Sequence, residues 1–375
     1  MKNTKVVQLS VVHFAHDPRV VFRTAATVAQ HYHTTLIIPN ADAQAVPGLH
    51  TVPLRQYRKL WQRLLFLHPV VLVRLLVLNP KIIHFHDPEL IPLGLFFRFL
   101  GKIVVFDIHE KVKKQLQHKT YNNNAFYKKS FDVFNHLAEK YLFLVFAEAP
   151  QAELYPNKKE PFAITLNYPK LDFYKPYLNL NRGLETNEAI NLFYIGGISI
   201  HRCLDTMVQA VAILRVEYPN VLLHLVGENT ETQHTTQAIP GYDEAKNNIV
   251  FYGKKSPKFG FELSKICVAG LSLIKPIGNY EHNYPTKIFE YMCVGLPVIT
   301  SDLPHFLPIV AQNNAGFCVS PYDAQAVAQA IKLLIEDRTL AKKMGENGVK
   351  VAQECYNWQP EAEKLVAFYK KILEP

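Results

Sequence analysis

The chain is poor in cysteine. Its 375 residues hold five, Cys203, Cys267, Cys293, Cys318 and Cys355. No two form a Cys-x-x-Cys pair and the number is odd. That tells against a disulfide framework and a zinc ribbon, and favours a reducing setting. Acid is scarce as well. Asp and Glu number 32 against 41 Lys and Arg, a net charge of +9. The deficit is uneven, and from Ala43 to His86 there is no acid at all. Such a balance favours an anionic partner, whether nucleotide, phosphate, acidic membrane or nucleic acid, without choosing among them. No RNA- or DNA-binding signature accompanies it, so nucleic acid is not expected. Long apolar runs are missing too. The nearest, Leu64–Leu78, is interrupted by His68, Pro69 and Arg74, so no transmembrane helix is expected. The apolar run in MKNTKVVQLSVVHFAHDPR is too short for a signal peptide. Internal repeats and low-complexity tracts are also absent.

What the chain does have is a globular composition, 49% hydrophobic and 19% charged, and a length that suits two domains. Strand-like runs alternate with helical patterns throughout. KVVQLSVV, TTLIIP, KIIHFH, KIVVFDIH and LFLVFAE fall in the first half; INLFYIG, NVLLHLVG, NIVFYG, VAGLSLI and LPVITS fall in the second. Alternation of this kind predicts two doubly wound α/β domains with parallel sheets, whose ligands bind at the carboxyl ends of the strands. The aperiodic, Pro- and Asn-bearing stretch Asn167–Ala189 marks the junction. The expected organisation is a first domain over 1–175, a second over 176–355, and a final amphipathic helix over 356–375 packing back on the first.

Several motifs carry chemistry. In NYPTKIFEYMCVGLPVITS (Asn283–Ser301), Pro285 suits a first helical position and Gly295 a left-handed stop, with a strand to follow. Glu290 then sits one turn into a short helix whose neighbours are apolar, where a carboxylate needs a partner. The helix start at Thr286 offers partial positive charge to an anion, Lys287 adds a full charge, and Glu290 could accept hydrogen bonds from a diol. A surface Glu on a short helix is the plainer alternative. Tyr194–Val211, YIGGISIHRCLDTMVQAV, reads as strand, Gly-Gly turn and helix. Gly196 and Gly197 let backbone amides approach a ligand, and Arg202 can supply charge to a phosphate; a tight turn with a solvated arginine fits equally well. In the first half, VVFDIHE places His109 and Glu110 at a strand's carboxyl end, and HFHDPELIPLG does the same for His84, His86 and Asp87. His and Asp at that spacing invite a metal reading, but no further ligand cluster appears and no metal is expected. Asp87-Pro88 and Asp17-Pro18 read as helix caps. His16, Arg19 and Arg23 are candidates to line a ligand surface.

Together these motifs resemble the signatures of retaining glycosyltransferases of the GT-B fold, group 4 class, which includes many enzymes of bacterial surface-polysaccharide synthesis. HFAHDPRVVFRTA, HFHDPELIPLG, VVFDIHE, YIGGISIHRCLDTMVQAV and NYPTKIFEYMCVGLPVITSD occur in the family's order and cover nearly the whole chain. The resemblance implies two Rossmann-like domains facing a cleft, with a nucleotide diphosphate sugar, UDP- or GDP-linked, held mainly by the second. It needs no cofactor and no metal. It implies that Glu290 binds the ribose hydroxyls, that Arg202 binds the diphosphate, and that His109 touches the donor sugar with Glu110 beside it. His16, Arg19, His86 and Asp87 fall on the acceptor or cleft side. Three positions depart from the pattern. A second acid is usual eight residues before the ribose-binding one, but His282 stands there and Glu281 is displaced by one. Arg202-Cys203 replaces the usual Lys-Gly. Gly197 stands where a further basic residue often follows. These departures motivate an alternative, a non-catalytic sugar-nucleotide-binding subunit.

The acid-free stretch contains Arg55, Arg58, Lys59, Arg63, Arg74 and Lys81 with Trp61 among many Leu and Val. It fits a peripheral helix on an anionic membrane, or a buried helix with snorkelling cations. Lys111–Ser130 adds six lysines and no acid, which suits a lipid diphosphate acceptor or a solvated loop. The expectation is a cytoplasmic protein, peripheral at the inner face of the cell membrane, acting on a lipid-linked or glycan acceptor.

Overall fold

The computed structural model describes residues 3–41, 46, 48–109, 125–181, 189–277 and 284–374. Glu110, Glu281, His282 and the lysine-rich 111–124 lie outside them. The chain divides into two compact units, one of residues 1–167 with 358–375 and one of residues 168–357.

The first unit holds a parallel sheet of β1 (Lys5–Leu9), β2 (His33–Pro39), β3 (His50–Leu54), β4 (Ile82–Phe85), β5 (Ile103–Ile108), β6 (Phe143–Phe146) and β7 (Phe162–Ile164), in the order β3-β2-β1-β4-β5-β6-β7. The central strands are apolar on both faces because helices cover both. Val7, Ile83, Val104 and Leu144 feed one core. Val6, Ile82, Val105 and Phe143 face the C-terminal helix Trp358–Leu373 through Leu365, Phe368 and Tyr369. That helix is anchored polarly as well: the Trp358 indole donates to Thr27 Oγ1 (2.9 Å), and the Tyr369 hydroxyl lies 2.7 Å from His84 Nδ1.

The second unit holds β8 (Ile190–Ile195), β9 (Val221–Val226), β10 (Ile249–Gly253), β11 (Cys267–Ser272), β12 (Val298–Ser301) and β13 (Gly316–Val319), parallel in the order β10-β9-β8-β11-β12-β13. In each sheet the order reverses beside the first strand, between β1 and β4 and between β8 and β11. That is where a doubly wound sheet opens a crevice at its strand ends. The helix Thr286–Cys293 ends as expected, with Gly295 at φ +69°. Its start differs by one residue: Pro285 is the N-cap rather than the first helical position.

The stretch Leu60–Leu78 folds as one helix across its interruptions at His68, Pro69 and Arg74. It is a 19-residue helix, long and apolar enough to cross a membrane by length and composition. Pro69 lies inside that helix, just after the π-helical turn Arg63–Leu67, whose altered hydrogen-bond spacing accommodates its missing N–H. One face nevertheless belongs to the domain, since Leu67, Val71 and Leu75 are buried in the core with β1 and β4. The opposite face is bare: Trp61 is 56% exposed, Val73 58% and Val77 78%.

Candidate functional site

In the second unit the site grows from the end of β8. The chain turns at Gly196, whose φ of +125° is open to glycine and strained for other residues. Tyr194 lies just before the turn, and its hydroxyl donates to the Gly197 carbonyl at 2.5 Å. Arg202 Nη1 donates to the same carbonyl at 3.0 Å. A side chain on Gly197 would stand in the space the guanidinium takes. The missing basic residue at 197 is thus offset by an arginine folded over the same backbone. Lys287 arrives from the helix Thr286–Cys293. Its Nζ stands 3.7 Å from the centroid of the Tyr194 ring and beside Gly196. Burial, with the positive charge of Arg202, pushes the Lys287 ammonium down to about 7. Two cations that repel each other beside a Gly-Gly turn are a site prepared for an anion, which would relieve both.

Glu290 is half-buried, one turn further along the helix. Its Oε1 accepts from the Tyr174 hydroxyl at 2.9 Å. Tyr174 is itself buried and packs edge-on against Phe261, 4.9 Å between ring centroids. The carboxylate is therefore held by a fixed phenol beside the cations. Thr286 opens the helix and is half-buried. Cys203 adopts the left-handed conformation that the usual glycine would supply, at φ +60°, and is fully buried in the core beneath the turn. Burial raises its thiol to about 12, so it is an inert filler. Its replacement of glycine leaves the turn intact.

The first unit gathers a second cluster at the ends of β1, β4 and β5. Asp107, in β5, is fully buried and bound by Arg19 at both oxygens, Nη2 to Oδ1 at 2.7 Å and Nε to Oδ2 at 3.1 Å. Burial alone would raise this carboxyl; the Arg19 charge, with His109 and His86 beside it, holds it well below the usual range. Three imidazole nitrogens face the same carboxylate: His86 Nδ1 at 3.2 Å, His84 Nε2 at 3.9 Å and His109 Nδ1 at 3.9 Å. Burial pushes His84 and His86 down, favouring the neutral form of both rings against the pull of Asp107. His84, His86 and Asp107 bring three potential ligand atoms within 4.8 Å. A divalent ion there would meet the Arg19 guanidinium on the same carboxylate, and the chemistry of the set suits an arginine ion pair better than a metal.

Arg19 is buried and committed to Asp107, the Thr165 carbonyl and Asn167, so it holds the site together rather than presenting charge at a surface. Arg23 is buried too, whereas His16 is exposed. Asp17 caps the helix Pro18–Ala25, accepting from the amides of Arg19 and Val20. Asp87 does not cap. Its Oδ2 reaches back to the Ser10 hydroxyl (2.9 Å) and the Val11 amide (2.6 Å), and its Oδ1 lies 3.0 Å from His13 Nδ1. Tying the loop after β1 satisfies the carboxylate more fully than the short turn Pro88–Leu90 could. His86 turns its Nε2 to Gln8 Oε1 at 3.1 Å. His109 follows directly on β5, with Nε2 at 3.0 Å from His13 Nε2.

The structure thus assembles Gly196, Gly197, Arg202, Lys287 and Glu290 in one unit, and His86, Asp87 and His109 in the other. Sequence reasoning missed Tyr174, Asp107 and His13. A charged residue inside the apolar run VVFDI is a usable signal, because a strand covered on both faces must pair it. Tyr174 has no local signal, being 116 residues from its partner.

Residues 181–351 match a family model described as "Glycosyl transferases group 1". That similarity covers just under half of the chain. Among curated proteins, the capsular polysaccharide biosynthesis glycosyltransferase CapM of Staphylococcus aureus is 24% identical over 189 residues, covering 50% of this chain and 48% of that protein. The putative glycosyltransferase EpsD of Bacillus subtilis is 25% identical over 162 residues, 43% of this chain and 40% of that one. The chain thus spans about half the length or less of these relatives. Among solved structures, sucrose-phosphate synthase of Thermosynechococcus elongatus superposes with a TM-score of 0.72 at 18% identity, over 99% of each chain. HepE of Anabaena, solved with UDP and glucose, gives 0.71 at 14% identity, over 98% of this chain and all of that one. The fold is GT-B, two Rossmann-like α/β units, and the Gly-Gly turn, Arg202, Lys287 and Glu290 all lie within the stretch that matches the glycosyl transferase model.

Proposed function

We propose that the protein is a retaining glycosyltransferase of the group 4 class. It moves a sugar from a nucleotide diphosphate sugar to a lipid-linked or glycan acceptor in surface-glycan synthesis. The observation that carries this reading is the set of Arg202 and Lys287 at the Gly-Gly turn with Glu290 one helical turn away. The cations take the diphosphate and the carboxylate takes the ribose diol. The name of one relative, the capsular polysaccharide biosynthesis glycosyltransferase CapM, supports the acceptor class. His109 positions the donor sugar, and the leaving phosphate serves as base. UDP and GDP donors are equally compatible with these residues.

The test is a thermal-shift and hydrolysis screen of the purified chain against UDP-, GDP-, ADP- and dTDP-sugars. One donor is expected to stabilise the protein and be hydrolysed slowly. Glu290→Gln should weaken that donor by about 10- to 150-fold, the worth of charge-assisted hydrogen bonds of about 1.5–3 kcal/mol. No stabilisation by any donor, or an unchanged affinity in the variant, would overturn the assignment.

The protein works at the inner face of the cell membrane in this reading. The bare face of Leu60–Leu78 and exposed Phe99 (88%) supply apolar area, and exposed Arg55, Arg58, Lys59 and Lys81 supply charge. Co-flotation with vesicles containing phosphatidylglycerol is expected, and much weaker flotation with phosphatidylcholine alone. Replacing Trp61, Val73 and Val77 together by serine should abolish it. Equal flotation of that variant would remove the helix from the interface.

A further inference from the structure

The helix that carries Lys287 and Glu290 has a second piece of chain running along it. Residues 168–180 open the second unit and precede the stretch 181–351 that matches the glycosyl transferase model. They are laid against the helix Thr286–Cys293 and its end. The Tyr168 ring meets Phe289 edge-on at 4.9 Å between centroids, the Asn179 amide donates to the Val294 carbonyl at 3.2 Å, and a Cβ at Gly295 would stand against Leu180. Between these fixings lies Tyr174, the last residue of the short helix Leu171–Tyr174. Tyr174 is 6% exposed, and its ring is held edge-on by Phe261 at 4.9 Å and by Phe173 at 5.0 Å. A phenol packed in this way has a fixed direction, and its hydroxyl donates to Glu290 Oε1 at 2.9 Å.

Glu290 needs such a guide. Its side chain is flexible, and the opposite charge of Lys287, three residues back on the same helix, draws the carboxylate toward the Gly-Gly turn. The bond to Tyr174 fixes it against that movement. A carboxylate has about four lone-pair sites, so one bond orients its plane without exhausting its capacity to accept from a diol. We propose that Tyr174 is a positioning residue for the nucleotide's ribose: it holds the Glu290 carboxylate in the orientation that accepts both ribose hydroxyls, and so sets how strongly the protein prefers a nucleotide that carries the diol. The proposal rests on the reading of Glu290 as the ribose ligand, and adds to it a residue from outside the matched stretch. Tyr174 touches no substrate in this role; it acts through Glu290. Ordering one flexible side chain before a ligand arrives is worth about 2- to 12-fold in affinity.

Calorimetry on the full chain tests this with UDP, GDP and ADP, each beside its 2′,3′-dideoxy analogue, whose sugar lacks the diol. Tyr174→Phe keeps the ring between Phe173 and Phe261 and removes only the hydroxyl. The nucleotide that wild type binds best should bind this variant about 3- to 10-fold more weakly, and its dideoxy analogue should stay within about 1.5-fold of wild type. A tyrosine that served packing alone would weaken both nucleotides alike. Glu290→Ala should lose the preference for the diol, and adding Tyr174→Phe to it should cost nothing more, because a residue that acts through Glu290 then has no route left. The proposal is overturned by a loss of less than about twofold in Tyr174→Phe, by equal losses for the two nucleotides, or by a further loss in the double variant. Each of those results leaves Glu290 in place as the ribose ligand. If wild type shows no preference for the diol, or Glu290→Ala keeps that preference, the ribose reading itself falls and takes the proposal with it.

Discussion

Replacing His109 by alanine is expected to lower donor turnover by about 10²–10⁴-fold, the usual range for a positioned proton-transfer or hydrogen-bonding group at a reacting centre. Nucleotide affinity should stay within about twofold. The two expectations follow from where the residues sit. Arg202, Lys287 and Glu290, the candidate anchors of the nucleotide, belong to the unit of residues 168–357, and His109 belongs to the other. None of the anchors uses His109 for its geometry: Arg202 is set by the Gly197 carbonyl, Lys287 by the Tyr194 ring and Glu290 by the Tyr174 hydroxyl. His109 in turn is set by β5 and His13. Removing an interaction made only in the transition state lowers kcat and leaves ground-state binding alone. Titration of the nucleoside diphosphate by calorimetry, with single-turnover hydrolysis of the sugar nucleotide, separates the two quantities. Turnover within threefold of wild type would end the role of His109, and loss of nucleotide binding would show that it acts through structure.

Legibility in the sequence divided along physical lines. The central strands of both sheets were readable, since a strand covered on both faces is a continuous apolar run such as KIVVFDI or INLFYI. The strands that escaped notice are β3, β7 and β13, and each is a sheet edge. Edges are short and half-exposed, as in the three residues of Phe162–Ile164, or carry proline, as in HTVPL, so neither run length nor alternation marks them. In the site, charged residues at glycine turns and strand ends stood out by type and place. Arg19 and Asp87 were read in the wrong role because their partners come from distant chain, Asp107 lying 88 residues and Ser10 77 residues away. A local pattern can say that a side chain needs a partner; only the sheet order, which sets β1, β4 and β5 side by side, says which one it finds.

The same sheet order concentrates the largest expected stability effect in one pair. Asp107→Ala should destabilise the first unit by about 3–5 kcal/mol, because it leaves the buried Arg19 guanidinium without its counter-charge. For a unit of this size that is a fall of about 6–20 °C in melting temperature. Arg19 cannot escape by losing its proton, which an arginine in a protein does not do. His84 and His86 behave differently. Burial already favours their neutral form, so they lose an electrostatic neighbour rather than a required partner. The sign with pH follows: the carboxyl is held low in the folded unit, so its contribution is complete above the ordinary Asp pKa and is lost as pH falls through the folded value. A double variant, Arg19→Leu with Asp107→Leu, separates charge from packing. Removing both charges together should cost less than Asp107→Ala alone, since a buried ion pair can be exchanged for apolar side chains far more cheaply than it can be halved. Thermal denaturation of the wild type, Arg19→Leu, Asp107→Leu and the double variant measures the coupling, with Asp107→Ala alongside. A double variant no more stable than Asp107→Ala would mean that the hydrogen bonds of Arg19 to the Thr165 carbonyl and Asn167, rather than the ion pair, hold the ends of these strands together.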